Sequence, residues 1–436
     1  MKRRRFVKTV SQATAGLVAA RAPMFIKGSP SEKVVVCVMG LNGRGTEHAK
    51  RFAKTPNAEI ASVSDVDSTV LAKAAATVSQ AQAKTVKSLG DFRRGLADKS
   101  IDALVIATPD HWHAPATILA LAAGKHVYLE KPCSQNPREG ELLVDAQRKA
   151  KRVVQMGTQR RSSPRAIEAV QAIRDGIIGR PYFARAWYAN SRKSIGRGKA
   201  APVPANLDYE LWQGPARRAP YRDNIIHYNW HWFRRWGTGE INNNGTHEID
   251  VARWALGVDY PVRVTSAGGR YHFDDDWEFT DTQEAAFEFD GGRAIAWQGR
   301  SCNPYPIEGR GRGTIVHGTT GTMVVDQDGY TVYDLEKKVV KQNVIQPSND
   351  PLAPSGDDQL TALHIANFVE GVRTGAPVTQ PIDEGAKTNL LCHLGNIAQW
   401  TGRALSVDPT NGHILGDEEA MRFWQREYAP GWAPVV

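Results

Sequence analysis

The run Val34-Val35-Val36-Cys37-Val38-Met39 is short, apolar and β-branched, and it leads directly into Gly40-Leu41-Asn42-Gly43-Arg44-Gly45. A parallel strand covered on both faces has that composition, because neither face needs polar residues. The segment after the glycines, through His48, Ala49 and Phe52, reads as a helix. Strand, glycine-rich turn and helix in this order are the context that a dinucleotide-binding fingerprint requires. The second glycine of that fingerprint is replaced by Asn42, which tolerates left-handed backbone but holds a pyrophosphate further out.

A second strand over residues 60–64 ends at Asp65, twenty residues beyond Gly45. An acid there accepts hydrogen bonds from the adenosine ribose hydroxyls and repels a 2′-phosphate, so NAD is expected rather than NADP. Residues 103–107 form another strand and run into Thr108-Pro109-Asp110-His111-Trp112-His113. The strand at 126–129 runs into Glu130-Lys131-Pro132. Ligands of doubly wound sheets sit outside the carboxyl ends of the strands. Thr108, Pro109, His113, Glu130 and Lys131 therefore face the cofactor cleft together with Gly40, Asn42, Gly43, Arg44 and Gly45.

The chain opens with Arg3-Arg4-Arg5-Phe6-Val7-Lys8, a weakly apolar stretch over 9–20 and the small-x-small site Ala20-Arg21-Ala22. These parts stand in the order of a twin-arginine signal peptide over residues 1–22, with a linker over 23–33. The protein is expected to use the twin-arginine export machinery and to reach the periplasm or another exported location. The apolar stretch is far shorter than the ~20 residues of a membrane span, so no membrane anchor is expected. Six of the net nine positive charges sit in residues 1–22, which leaves +3 and gives no electrostatic argument for nucleic acid. Cys37, Cys133, Cys302 and Cys392 are scattered without a metal or redox spacing. The pairs His111/His113 and His227/His231 lack a carboxylate or cysteine at diagnostic spacing, so no metal is expected.

The glycine-rich turn, the T-P-x-x-x-H turn at 108–113 and above all the E-K-P turn at 130–132 resemble the Gfo/Idh/MocA family of oxidoreductases, over essentially everything after the signal. The resemblance implies an α/β chain with an N-terminal Rossmann domain, a doubly wound parallel sheet, over 34–155. An α/β substrate and oligomerisation domain over 156–436 follows, with a large open, predominantly antiparallel sheet that favours a homo-oligomer. It also implies Gln159 at the cofactor and Arg160 at the substrate. The family's D-x-G-x-H pattern falls on Asn243 and His247, so the acid is missing and the imidazole loses a carboxylate that would raise its basicity. Lys131 becomes the better base, because burial and the charge of NAD⁺ both lower its pKa.

Between strand-like stretches at 182–188 and 284–297 lies a long insertion ending in Tyr228-Asn229-Trp230-His231-Trp232-Phe233-Arg234-Arg235-Trp236, five aromatics in nine residues. Loops of that size are usually functional. Tyr228, Trp230, His231 and Trp232 read as a carbohydrate platform, with packing beneath the loop or at a subunit contact as the alternative. Helical periodicity over 360–373 and 384–403 reads as core.

Outside the cytoplasm no nicotinamide pool re-oxidises a reduced cofactor. The expected enzyme therefore holds NAD tightly and regenerates it in place, acting on a sugar or glycoside. One scheme oxidises a hydroxyl transiently, eliminates or hydrolyses, and returns the hydride, as the resemblance to NAD-dependent glycosidases of glycoside hydrolase family 109 implies. A second couples oxidation of one sugar to reduction of another. A third is a silent sugar-binding protein that retains NAD, which Asn42 and Asn243 permit.

Overall fold

The computed structural model describes residues 33–345 and 356–436. The expected signal and nearly all of the linker lie outside the described residues. Six parallel strands, β1 (Val34–Met39), β2 (Ala58–Ser64), β3 (Lys87–Leu89), β4 (Ala103–Ile106), β5 (His126–Leu129) and β6 (Val154–Met156), form the first sheet in the order β3-β2-β1-β4-β5-β6. Strand order reverses between β1 and β4, which is where a doubly wound sheet opens a crevice at its carboxyl edge.

Alternate residues of the strands enter two cores. Val36, Val38 and Val105 pack with Phe52 on one face, while Cys37, Leu104 and Ile106 pack with Trp112 and Leu121 on the other. Both faces are dry, so the strands carry unbroken apolar runs rather than an alternating pattern. The helix Gly356–Thr374 returns late in the chain and sets Ile365, Phe368 and Val369 into the first of these cores.

The second sheet has nine strands: β7 (Pro181–Ala189), β8 (Arg263–Gly269), β9 (Thr282–Phe289), β10 (Arg293–Arg300), β11 (Arg312–Gly318), β12 (Gly321–Val325), β13 (Gly329–Asp334), β14 (Val339–Val344) and β15 (Leu405–Ser406). Their order is β14-β13-β12-β11-β7-β10-β9-β8-β15, and only the β7–β10 pair is parallel. The helices Pro164–Arg174, Thr246–Leu256 and Ile382–Thr401 cover one face, burying Ala184, Ala186, Phe287, Ile295 and Trp297 beneath them. The sheet's helix-covered face thus aims the start of Thr246–Leu256 at the first domain.

The long connection between β7 and β8 is stitched to the first domain by backbone bonds. The Ser68 N–H donates to Asn206 O at 2.9 Å, Asp208 N–H to Val66 O at 2.9 Å, and His111 N–H to Trp236 O at 3.1 Å. These bonds fold the insertion over the carboxyl edge of the Rossmann sheet.

Candidate functional site

A cavity of about 450 Å³ lies where the turns after β1, β2, β4 and β5 meet the insertion and the helix Thr246–Leu256. Its first half is a groove built from backbone. Gly40 and Gly43 have φ of 81° and 76°, a region that side chains rarely adopt. A Cβ on Gly40 would lie 2.7 Å from Ala107 O, and one on Gly45 would run into Gly40 O, so Gly45 serves the turn from beneath and does not line the cavity. At Gly43 a Cβ would meet nothing, because that face of the turn is open. Gly43 also caps the helix Arg44–Phe52 without a side-chain bond, which leaves its first N–H groups available to an anion.

Asp65 lines this groove and anchors it. Its carboxylate accepts the Leu41 N–H at 2.6 Å and the Asp67 N–H at 2.9 Å. Burial nevertheless pushes its pKa up, because those backbone bonds only partly offset desolvation. Thr108 and Pro109 line the same groove, and the buried Thr108 hydroxyl has no partner among the described residues. His113 ties two turns together, its ring nitrogens lying 2.5 Å from Pro132 O and 2.8 Å from Thr108 O. An open helix end, a turn cleared of side chains, a carboxylate at the end of β2 and an unused hydroxyl fit a dinucleotide, with Asn42, Arg44 and Gln159 on its walls.

The Glu130-Lys131 turn forms the chemical centre. Glu130 accepts from Arg44 Nε at 2.9 Å and His48 Nε2 at 2.6 Å, and its Oε2 accepts the Lys131 N–H at 3.1 Å. Burial raises this carboxyl, but Arg44 and His48 together hold it well below the usual carboxylate range. Lys131 Nζ donates to both oxygens of Asn243, backbone at 2.8 Å and side chain at 2.9 Å. Burial lowers the Lys131 pKa against the opposing pull of Glu130 and Asp110. A neutral amine has two N–H bonds; with both given to Asn243, its lone pair remains for a substrate hydroxyl.

Asn243 lies in the π-helical turn Ile241–Gly245, four residues before His247, and both line the cavity. Burial and then the charges of Lys131, Arg312 and Arg160 hold the His247 pKa well below its ordinary value, so this imidazole is neutral. Tyr228, Trp230 and His231 line the cavity from the insertion.

Two residues expected at the substrate lie elsewhere. Arg160 is buried in a bidentate pair with Glu248, whose carboxylate Arg312 also holds at 2.7 Å. A buried guanidinium needs such a partner more than it needs a ligand. Trp232 is 1% exposed and stacks on Trp277 with ring centroids 3.8 Å apart. In the short turn Asn229–Trp232, the aromatic run divides between cavity and core, because neighbouring side chains point to different sides.

Asp110, His48 and Arg312 were not singled out from the sequence, and His227 only as half of a histidine pair without metal spacing. Asp110 lines the cavity and accepts from Thr238 Oγ1 at 2.5 Å, while burial raises its pKa. It belongs to the T-P-x-x-x-H turn, so its position was a usable signal. His48 and Arg312 have none, since a helix interior and the first residue of a strand supply no local motif. His227 also lines the cavity and lies 3.1 Å from Asp67 Oδ2, which additionally accepts Asn206 Nδ2 through its other oxygen at 2.9 Å.

Residues 34–158 match the family model for an oxidoreductase family with an NAD-binding Rossmann fold, and residues 188–433 match that family's C-terminal alpha/beta domain. An inositol 2-dehydrogenase of Rubrobacter xylanophilus is 30% identical over 163 residues, covering 37% of this chain and 45% of that protein. A glycosyl hydrolase family 109 protein of Shewanella putrefaciens is 27% identical over 208 residues, covering 43% and 45%. The matched stretches thus span about half the length of these curated relatives. A levoglucosan dehydrogenase solved with NADH and levoglucosan shares the fold, with a TM-score of 0.66 at 18% identity over 88% of this chain and 100% of that one.

Proposed function

The chain belongs to the Gfo/Idh/MocA oxidoreductase family, and from that premise we propose an exported enzyme that acts on a sugar or glycoside with a tightly held, internally recycled NAD. The observation that carries the reading is Lys131, held by both oxygens of Asn243 in a cavity shared with His247. When bound, NAD supplies a hydride acceptor and later a hydride donor. Lys131 takes the proton of the hydroxyl being oxidised, its lowered pKa bringing the neutral amine toward working pH. The amide of Asn243 orients it without adding a negative charge. His247, neutral in this setting, receives or donates a hydrogen bond at a sugar hydroxyl. Trp230 and Tyr228 offer ring faces to the sugar's C–H surface.

Tight retention is supported by the insertion, whose bonds to Val66, Asp67 and Ser68 lie beside the ribose-reading Asp65. Asp65 favours NAD over NADP. Redox-neutral chemistry on a glycoside is supported by the likeness to the family 109 protein and by the export signal, which removes the enzyme from any cofactor pool. The open nine-stranded sheet supports a homo-oligomer.

The test is turnover of glycosides in deuterated water by the purified mature protein. A redox-neutral enzyme places deuterium on the carbon beside the oxidised one, without a second sugar and without accumulating NADH. Turnover that depends on a second sugar selects the coupled oxidoreductase. Sugar binding without turnover or exchange selects the silent binder.

A further inference from the structure

We infer that His231 is the base that removes the carbon-bound proton beside the newly formed ketone, a step distinct from the hydroxyl deprotonation assigned to Lys131; the inference rests on the redox-neutral reading above. Transient oxidation needs two proton acceptors, because the O–H and the adjacent C–H are lost from different atoms at different stages. Lys131 serves the first, and its two bonds to Asn243 fix it there.

His231 has the features of the second. Its Nδ1 lies 2.6 Å from Tyr228 O, a carbonyl that can only accept, so Nδ1 carries the proton of the neutral ring. That leaves Nε2 as a lone-pair acceptor without a partner among the described residues, on a ring that lines the cavity. Trp230 stacks on the same ring, centroids 3.6 Å apart and 18° from parallel, which fixes its plane. The charged and titratable groups around it include Lys131 from the β5 turn, Arg192 and Tyr228 from the insertion, the tyrosine ring 4.7 Å away between centroids, and His113 from the first domain. Burial first, and Lys131, Arg192 and His113 in addition, lower its pKa to about 3. The ring is therefore neutral throughout the working range. No comparable bond fixes the His247 tautomer among the described residues, and the charges of Lys131, Arg312 and Arg160 all lower that imidazole's pKa.

The step balances without an added oxidant. The Nε2 lone pair takes the proton from the carbon next to the carbonyl, and the C–H electron pair forms the enolate double bond as the carbonyl pair moves to oxygen. When the carbonyl re-forms, a double bond forms to the next carbon and the bond from that carbon to the glycosidic oxygen breaks. The departing oxygen takes the proton from Nε2, which restores the neutral ring. The products are an unsaturated ketone and an alcohol.

The experiment bypasses hydride transfer by supplying a sugar that is already oxidised, a methyl 3-ketoglucoside, to the NAD-loaded protein in deuterated water. Deuterium entry beside the carbonyl is followed by NMR against the uncatalysed rate. His231→Gln should lower the exchange by ~10² or more, the usual scale for a general base. The exchange should not rise between pH 6 and 9, since Nε2 is unprotonated throughout. His231→Ala should regain exchange with added imidazole, and NAD retained by each variant shows that it is folded. Undiminished exchange in His231→Gln, with a competent wild type, overturns the role of His231 alone. A wild type that never exchanges the ketone overturns the redox-neutral reading, and this inference with it.

Discussion

Lys131 Nζ and Asn243 are joined twice, through the backbone carbonyl at 2.8 Å and the side-chain amide at 2.9 Å. At the position where the pattern expected from the sequence has an acid, this chain offers a neutral acceptor to a buried amine. Asn243→Asp should therefore raise the Lys131 pKa by about one unit or more, since an adjacent opposite charge favours the ammonium. The acidic limb of the pH–rate profile should move to higher pH by the same amount, with the plateau little changed. An unmoved limb would mean that another group controls it.

Cofactor retention depends on the glycine-rich turn and on Asp65, which holds Leu41 N–H at 2.6 Å. Asp65→Ala should weaken retention of NAD by about 1.5 to 3 kcal/mol, the loss of a hydrogen bond to a charged group. Gly45→Val should abolish it, because any Cβ there meets Gly40 O. Nucleotide released on denaturation after dialysis is the measurement.

The two tryptophans of one turn should separate cleanly. Trp232→Ala removes a buried ring stacked on Trp277 and should cost about 3 to 5 kcal/mol of stability. Trp230→Ala removes a ring from the cavity wall and should raise the KM for sugar while leaving the melting temperature nearly unchanged. Arg160→Ala should act like Trp232→Ala, since it strands the buried Glu248 beside Arg312 alone.

Four histidines remote from sugar chemistry predict the acid response. Burial lowers His111 and His393 to about 3, and His126 and His364 to about 4. An unfolded histidine takes up its proton near pH 6.5. Between that value and the folded pKa the unfolded chain binds more protons, so stability falls as pH falls, by up to about 1.4 kcal/mol per unit for each such residue. Denaturant midpoints should drop from about pH 6.5 downward, above the carboxylate range. A flat profile between pH 6.5 and 5 would contradict this.

Export is tested by changing Arg3 and Arg4 to Lys, which preserves the charge. The precursor should then remain in the cytoplasm; mature protein continuing to appear outside would exclude the twin-arginine route.

The first domain was legible because its information is local. A parallel strand buried on both faces must be apolar throughout, a tight turn against a pyrophosphate must be glycine-rich, and both signatures lie within twenty residues of each other at 34–52. The turns holding Thr108, Glu130 and Lys131 were legible for the same reason. Asn243 and His247 could be found through a motif, although nothing local indicated that Asn243 would grip Lys131 from 112 residues away.

The insertion shows where local reading ends. Composition identified an aromatic cluster but could not divide it, since Trp230 and Trp232 differ only in which side of a short turn they face. Arg160 carries the same charge whether it meets a ligand or Glu248. The sequence by itself determined the Rossmann framework, the second domain's family and the identity of the chemical groups, because those depend on spacing along the chain. Only the tertiary structure decided which of them converge on the cavity. Burial and charge pairing are sums over neighbours from distant segments, and they turn Arg160 and Trp232 inward while bringing Asp110, His227 and Arg312 to the site.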